Sequence, residues 1–363
     1  MNKITLCMIV KNEEAIIERC LQSIYKKIDY FIICDTGSTD GTKNKITNFF
    51  NNYRILGEIH DHQWVNFGHN RTAALQLCYD KTEWVIMIDA DDWIQGEIDL
   101  SCLDSSLDAY KVNVGNSELN YPRIQIFNVK NKKWEYKEPI HEYPYAEGNC
   151  KIGKITGNYI WVSSRDGNRT KQHEDARSKY FSDYLILKKE LEKNPNNPRN
   201  QFYAAQSLFD ANMIEAAEKE YLKRIDMKGW EDEVFYSWLK VIKCRIKLKK
   251  SESLIIEACI NAHEVDQERV EHLVLASSFL REKGKPKSAY MFASMGKNKK
   301  INYEKLFIHK EDYLWKIYDE IAATAYYAKQ TEVGKEACIK LLTEDYLPIE
   351  HRRRVESNYK FYY

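Results

Sequence analysis

Asp89 and Asp91 stand one residue apart in "EWVIMIDADDWIQG" (83–96), directly after a run, Trp84–Ile88, that suits a buried strand. Two carboxylates at the frayed end of a strand can both turn toward one point. Left unpaired in a partly dry site, they would repel each other and each would be costly to bury. A divalent cation removes that cost, and hard oxygen donors suit Mg²⁺ or Mn²⁺. The same ion can bridge a diphosphate and neutralise it as it departs. A D-x-D also occurs in ordinary turns and caps. The strand before this one, and Asp35 at the end of another strand, favour the metal. Asp92 follows, and either joins the cluster or caps the next turn. "HDH" at 60–62 has the look of a metal cluster, but it follows a strand and is not expected to be one.

The elements that must position these residues alternate along the first 90 residues. "ITLCMIV" (4–10), "YFIICD" (30–35), "YRILGEI" (53–59) and "EWVIMID" (83–89) read as buried strands. Between them, "NEEAIIERCLQSIYKK", "STDGTKNKITNFF" and "HNRTAALQLCYD" read as helices, the first with Glu13 and Glu14 in its opening turn. Strands alternating with helices predict βαβ units and a parallel sheet, with ligands outside the carboxyl ends of the strands. Asp35 and Asp89 sit at such ends. From 97 to 163, "DAYKVNVGN", "YPRIQIFNV" and "WEYKEPIHEYPYA" predict a β meander packed on or extending the first sheet. From 174 the pattern is helical. Helix pairs begin at Phe202, Phe235 and about Glu271, close to the tetratricopeptide period of about 34.

The bulk composition narrows the function classes. The chain has 363 residues, with Lys+Arg 55 against Asp+Glu 54 and a net charge of +1. That balance gives no global basic excess for nucleic acid. The nine cysteines are scattered without a CxxC, which excludes zinc-ribbon spacing and points to reduced structural thiols in a cytoplasmic protein. No apolar run reaches the roughly 18 residues of a membrane span, so an integral membrane protein is not expected.

Four stretches in order, "CMIVKNEEAIIERCLQSI", "FIICDTGSTDGT", "WVNFGHNRTAAL" and "VIMIDADDW", resemble family 2 glycosyltransferases of the GT-A fold. The later "RIQIFNVKNKKWEYKEPIHEY" is similar to the R…W-x-Y…H-E segment of one branch, in which tetratricopeptide-like helices follow the catalytic domain. "NPNNPRNQFYAAQSLFDANMIEAAEKEYLKRI" looks like the start of those helices. The resemblance implies an α/β GT-A domain over 1–173, then an all-α TPR-like domain over 174–363. It implies that Asp35 accepts a hydrogen bond from the N3–H of a uracil-like base, with Val10 and Lys11 flanking the base partly through main-chain groups. Arg71 would meet the diphosphate, where a guanidinium fork near a helix N-terminus suits phosphate. Asp89 would face the ribose and the metal, and Asp91 would be the main ligand of Mn²⁺ or Mg²⁺. The plainer uses are a turn aspartate for Asp35 and a locally paired arginine for Arg71. Gly37 and Gly41 fit the tight turn before the second helix.

Inverting members of that family use an Asp or Glu on the acceptor side as base. Glu142 in "IHEY" is the candidate here, with Glu138 and Asp166 as rivals. His141 suits metal, phosphate or a cap equally. In "SSRDGNRTKQHEDARSKY" (163–180), Arg165, Arg169 and His173 are expected to close over the diphosphate, with His173 counted as a further metal ligand. A plain interdomain linker is the alternative use of that stretch. The expected function is metal-dependent, inverting transfer from a nucleotide sugar, most simply a UDP-sugar, to a hydroxyl of a glycan or protein. The competing reading is an interaction protein whose TPR-like helices bind partners beside a degenerate nucleotide-binding domain. A nucleotidyltransferase is disfavoured, because no Gly-rich phosphate loop with a basic residue stands at the N-terminus. The helical half is expected to bind the acceptor or to form a homodimer.

Overall fold

The computed structural model describes residues 3–115, 120–163, 166–167 and 175–362. It divides into two compact units, one running to Lys179 and one from Tyr180 onward.

Among the described residues, the first unit is built on a nine-stranded mixed sheet. Strands β1 (Ile4–Val10), β2 (Tyr30–Asp35), β3 (Leu56–Asp61) and β4 (Trp84–Met87) form its parallel half. Every residue of β1 and β4 is buried, which explains their continuous apolar runs: a parallel strand covered on both faces has no polar side to show. Helices α1 (Ile17–Ile24), α2 (Thr42–Tyr53) and α3 (Phe67–Gln76) connect these strands. One buried cluster, with Leu6, Met8, Ile33, Phe50 and Ile86, lies on one side of the sheet. A second, with Cys7, Ile32, Leu75, Met87 and Phe127, lies on the other.

Two boundaries differ from those the periodicity predicts. Glu13 and Glu14 precede α1 instead of forming its first turn. Asn12 has a left-handed backbone (φ 56°), and the amides of Glu13 and Glu14 are bonded by Thr42 Oγ1 at 2.8 Å and Asp40 Oδ2 at 3.2 Å. Tyr53 closes α2 instead of opening β3, because Arg54 takes up the left-handed helix cap.

The meander extends the sheet. Strand β7 (Asn120–Asn128) runs antiparallel to β4 and to β6 (Ala109–Gly115). Beyond β6 come β11 (Tyr159–Val162), β5 (Trp93–Gly96) and the short β10 (Ile152–Lys154). Strands β8 (Trp134–Lys137) and β9 (Tyr143–Ala146) form a separate two-stranded ribbon. This ribbon is tied to α3 and the turn after it: Tyr136 N–H donates to Thr72 Oγ1 at 2.8 Å, and Trp134 N–H donates to the Tyr79 hydroxyl at 2.9 Å.

The second unit is helical. Helices α4 (Ala176–Lys193), α5 (Pro198–Asp210), α6 (Ile214–Asp226), α7 (Glu231–Lys247), α8 (Glu252–Val265), α9 (Glu271–Glu282), α10 (Pro286–Met295), α11 (Ile317–Thr324), α12 (Thr331–Thr343) and α13 (Ile349–Tyr359) follow in order. A π-helical turn, Asp312–Lys316, leads into α11. Successive pairs start at Pro198, Glu231 and Glu271, so the interval is not constant. Small residues such as Ala205, Ala217, Ala258 and Ala276 let these helices pack closely, around aromatic rings including Phe202, Tyr221 and Phe235. Buried ion pairs, Arg224–Glu233 at 2.9 Å and Arg269–Glu271 at 2.6 Å, fasten chain segments within this unit. Among the described residues no helix is long and apolar enough to cross a membrane. All nine cysteines are free, and seven are buried.

Candidate active site

The carboxyl ends of β1, β2 and β4 carry the expected residues. Asp35 ends β2 beside Val10 of β1 and is almost wholly buried, at 1% exposure. Its Oδ1 accepts from the amides of Gly37 (2.8 Å) and Ser38 (2.7 Å), and Gly37 supplies the positive φ of 104° that this turn requires. Its Oδ2 is buried and has no partner among the described residues, an acceptor that the described chain leaves unsatisfied. The Val10 carbonyl accepts from Thr36 N–H at 2.9 Å, and Lys11 is exposed just beyond it. The loops after β1 and β2 interlock: Asn12 N–H donates to Ser38 Oγ at 2.9 Å, and Thr39 N–H to Asn12 Oδ1 at 2.7 Å.

Arg71 is the centre of a second group. It lies on the first turns of α3, whose N-cap Asn66 accepts from His69 N–H at 2.8 Å. It is buried, at 4% exposure. Its Nη2 donates to Asp89 Oδ1, and its Nε donates to Glu142 Oε1 at 2.7 Å. The guanidinium also lies 5.8 Å from the Tyr136 ring centre. Burial works against the charge on Arg71, and Asp89 and Glu142 outweigh it. Burial likewise pushes the Asp89 carboxyl up, but Arg71 and Arg123 of β7 hold it below its ordinary value. The tie to Glu142 depends on a close approach. Phe67 N–H donates to the Pro139 carbonyl at 3.1 Å, and a Cβ at residue 68 would run into the Glu138 carbonyl, so only glycine fits there.

The three carboxylates of "DADD" have separate fates. Asp89 is held by Arg71. Asp92 is buried, and its Oδ2 accepts from Trp161 Nε1 of β11 at 3.0 Å, so it braces the strand that pairs with β5. Burial and the charge of Asp89 push Asp92 up to about 7. Asp91 has backbone amides, including that of Gly167, and no side-chain donor among the described residues. Burial and Asp89 push it up to about 6. A dication at Asp91 and Asp89 would reverse that repulsion, and all the donors are hard oxygens, so the residues fit Mg²⁺ or Mn²⁺. Among the described residues no three His, Cys, Asp or Glu side chains close around one point. An ion here would therefore draw further ligands from a diphosphate and water, as Mg²⁺ commonly does.

The rival bases lie in the same region. Asp166 receives both terminal nitrogens of Arg19, at 2.9 and 3.0 Å. Glu138 and His141 both have left-handed backbones, with φ 71° and 53°. The three residues of "HDH" go to different partners: His60 to Glu58 at 2.8 Å, Asp61 to Lys43 at 2.9 Å, and the His62 amide to the Asp35 carbonyl at 2.8 Å. Arg165, Arg169 and His173 lie outside the described residues. Sequence reasoning assigned no role to Arg19, Arg123 or Tyr136, yet all three belong to this region. The signal for two of them was present, since Arg123 and Tyr136 are the first and third landmarks of the R…W-x-Y…H-E segment.

Part of the chain is similar to known proteins. Residues 5–117 match the model of glycosyl transferase family 2. The SPbeta prophage-derived glycosyltransferase SunS of Bacillus subtilis is 22% identical over 281 residues, covering 73% of this chain and 64% of that protein. A TPR repeat-containing protein of Synechococcus elongatus is 30% identical over 93 residues, 25% of this chain and 21% of that one. Among solved structures, S. aureus TarS 1–349 in complex with UDP-GlcNAc aligns at 16% identity and a TM-score of 0.38, covering 77% of this chain and 92% of that one. Residues 5–117, with the strand-end carboxylates they contain, are thus similar to glycosyl transferase family 2, and a helical region follows them in the chain.

Proposed function

We propose that this protein is a metal-dependent, inverting glycosyltransferase that moves a sugar from a nucleotide sugar, most simply a UDP-sugar, to an acceptor hydroxyl. The observation that carries this reading is the Arg71 fork, which gathers Asp89 and Glu142 from distant parts of the chain onto one buried guanidinium. A donor-side carboxylate and a candidate base are thereby held in one frame.

In this reading the open Asp35 Oδ2 accepts from the N3–H of the base, with Val10 and Lys11 beside it. Mn²⁺ or Mg²⁺, held by Asp91 with Asp89, would neutralise the leaving diphosphate. Glu142 takes the acceptor proton as the hydroxyl attacks the anomeric carbon from the face opposite the diphosphate, which inverts that carbon. Arg71 orients Asp89 and Glu142 through Nε and Nη2, and a diphosphate contact would fall to its remaining N–H groups. Arg165, Arg169 and His173 keep their proposed place around the diphosphate and metal. The helical unit is proposed to recognise the acceptor, a glycan or a protein, or to pair two copies of the chain.

The test is a screen of nucleotide sugars with Mn²⁺ for release of the free nucleotide. At least one UDP-sugar should be hydrolysed or transferred, and Asp91→Ala should abolish the Mn²⁺-dependent part. Silence from every donor, or an Asp91→Ala variant as active as the parent, would sink the proposal.

A further inference from the structure

Arg19 lies on α1, outside every role assigned so far. Its Nη1 and Nη2 donate to Asp166 Oδ2 and Oδ1 at 2.9 and 3.0 Å, a two-pronged pair. Nη2 also donates to the main-chain oxygen of Asp91 at 3.1 Å. The flat face of the guanidinium lies 4.0 Å from the Trp93 ring centre. One side chain thus ties together α1, the D-x-D turn, the first residue of β5 and the segment after β11. A single exposed ion pair would contribute little. A fork-to-fork pair stacked on an indole is more directional, because the planar guanidinium has one orientation that satisfies both contacts.

What this tie holds in place is Asp91. Residues 166–167 are drawn against the turn, where the Gly167 amide bonds the Asp91 carboxylate. A Cβ on Gly167 would stand 3.0 Å from Asp91 Oδ2, so the glycine backbone lies directly against that carboxylate. Asp89 is oriented by Arg71 and Asp92 by Trp161. Asp91 has no side chain to orient it among the described residues. Among the described residues its carboxylate is met by backbone amides, its own and that of Gly167, and Arg19 holds both chain segments that carry them, at the Asp91 carbonyl and, through Asp166, beside Gly167.

We propose that Arg19 is a positioning residue for Asp91, and that Asp166 is its counter-ion in this task and not the base. The inference rests on the metal-site reading of Asp91 given above. Carboxylates that bind metals are themselves held by hydrogen bonds, and loss of such a partner weakens metal affinity by about 10- to 100-fold. Arg19→Lys keeps the charge but loses the fork and the stacking. Asp166→Asn keeps the shape but loses the ion pair.

The full-length protein and both variants are titrated with Mn²⁺ in the presence of UDP, followed by calorimetry and by the paramagnetic resonance of bound Mn²⁺. Hydrogen exchange is measured over 89–96 and 166–167. The expected result is Mn²⁺ affinity about 10- to 100-fold weaker in both variants, faster exchange at 166–167, and turnover that recovers at saturating Mn²⁺. Faster exchange with unchanged Mn²⁺ affinity would overturn the positioning role. Turnover of Asp166→Asn that stays lost at saturating Mn²⁺ would restore Asp166 as the base and also overturn it. No Mn²⁺ binding by the parent protein would instead remove the proposed function, and the inference with it.

Discussion

Arg71 carries two carboxylates on one buried guanidinium, and that decides which substitutions are informative. Truncating Arg71 would remove the hydrogen-bonded counter-charge of Asp89 and Glu142 and leave them only the more distant Arg123, at a cost of up to about 3–5 kcal/mol, so lost activity there would say little about chemistry. Glu142→Gln is cleaner. The amide oxygen can still accept from Arg71 Nε, while the group can no longer take a proton. Turnover should fall by roughly 10²- to 10⁴-fold while UDP–Mn²⁺ affinity, measured by calorimetry, stays put. An equal loss of binding would assign Glu142 to the donor side.

The ribbon β8–β9 matters because it delivers Glu142 to α3. Its seat on the helix and the turn after it is made by Thr72, Tyr79 and the bare backbone of Gly68. Gly68→Ala should therefore push the 136–139 backbone outward. The expected cost is about 1–3 kcal/mol of stability from overpacking. A larger functional effect should accompany it, on the order of 100-fold in turnover, because a shift of about 1 Å in a catalytic group is enough for that. Thermal melting together with steady-state kinetics checks both; a stable variant with parental turnover would show that the ribbon's seat does not set Glu142. This seat was not legible beforehand. "NFGHNRTAAL" reads as an ordinary helix start, and nothing in its periodicity says which later backbone segment will lie against residue 68.

Each unit carries its own buried clusters, so heating should give two transitions with different dependence on pH. His272 of α9 is fully buried. Its Nε2 lies 3.0 Å from His263 Nδ1, and its Nδ1 has no partner among the described residues. Burial, then His263, Arg269 and Lys299, push its pKa down to about 3 from an ordinary 6.5. The unfolded chain therefore binds a proton that the folded chain refuses between these values. Stability is fully present above about 6.5 and is lost as pH falls toward 3, by up to about 1.4 kcal/mol per pH unit. Calorimetry from pH 7 to 5 should show the helical unit's transition falling, and His272→Leu should flatten that slope. An unchanged slope in the variant would assign the acid sensitivity to other groups.

The sequence by itself determined the parallel half of the sheet, because strands buried on both faces leave continuous apolar runs such as 4–10 and 30–35. It determined the helical second half through its 3.6-residue stripes, and it placed Asp35, Asp89 and Asp91 at strand ends, where chemistry on such sheets is built. What only the tertiary structure decided is which charge meets which. Arg71 and Glu142, or Arg19 and Asp166, lie far apart along the chain, and no local pattern records their pairing. The same holds for "DADD": three like residues within four positions receive different roles because Arg71, Trp161 and the Gly167 backbone reach them from three separate parts of the chain. Helix boundaries shifted for a related reason. Glu13 and Glu14 have the chemistry of a first turn, but Thr42 and Asp40, brought in by the neighbouring loop, bind their amides first.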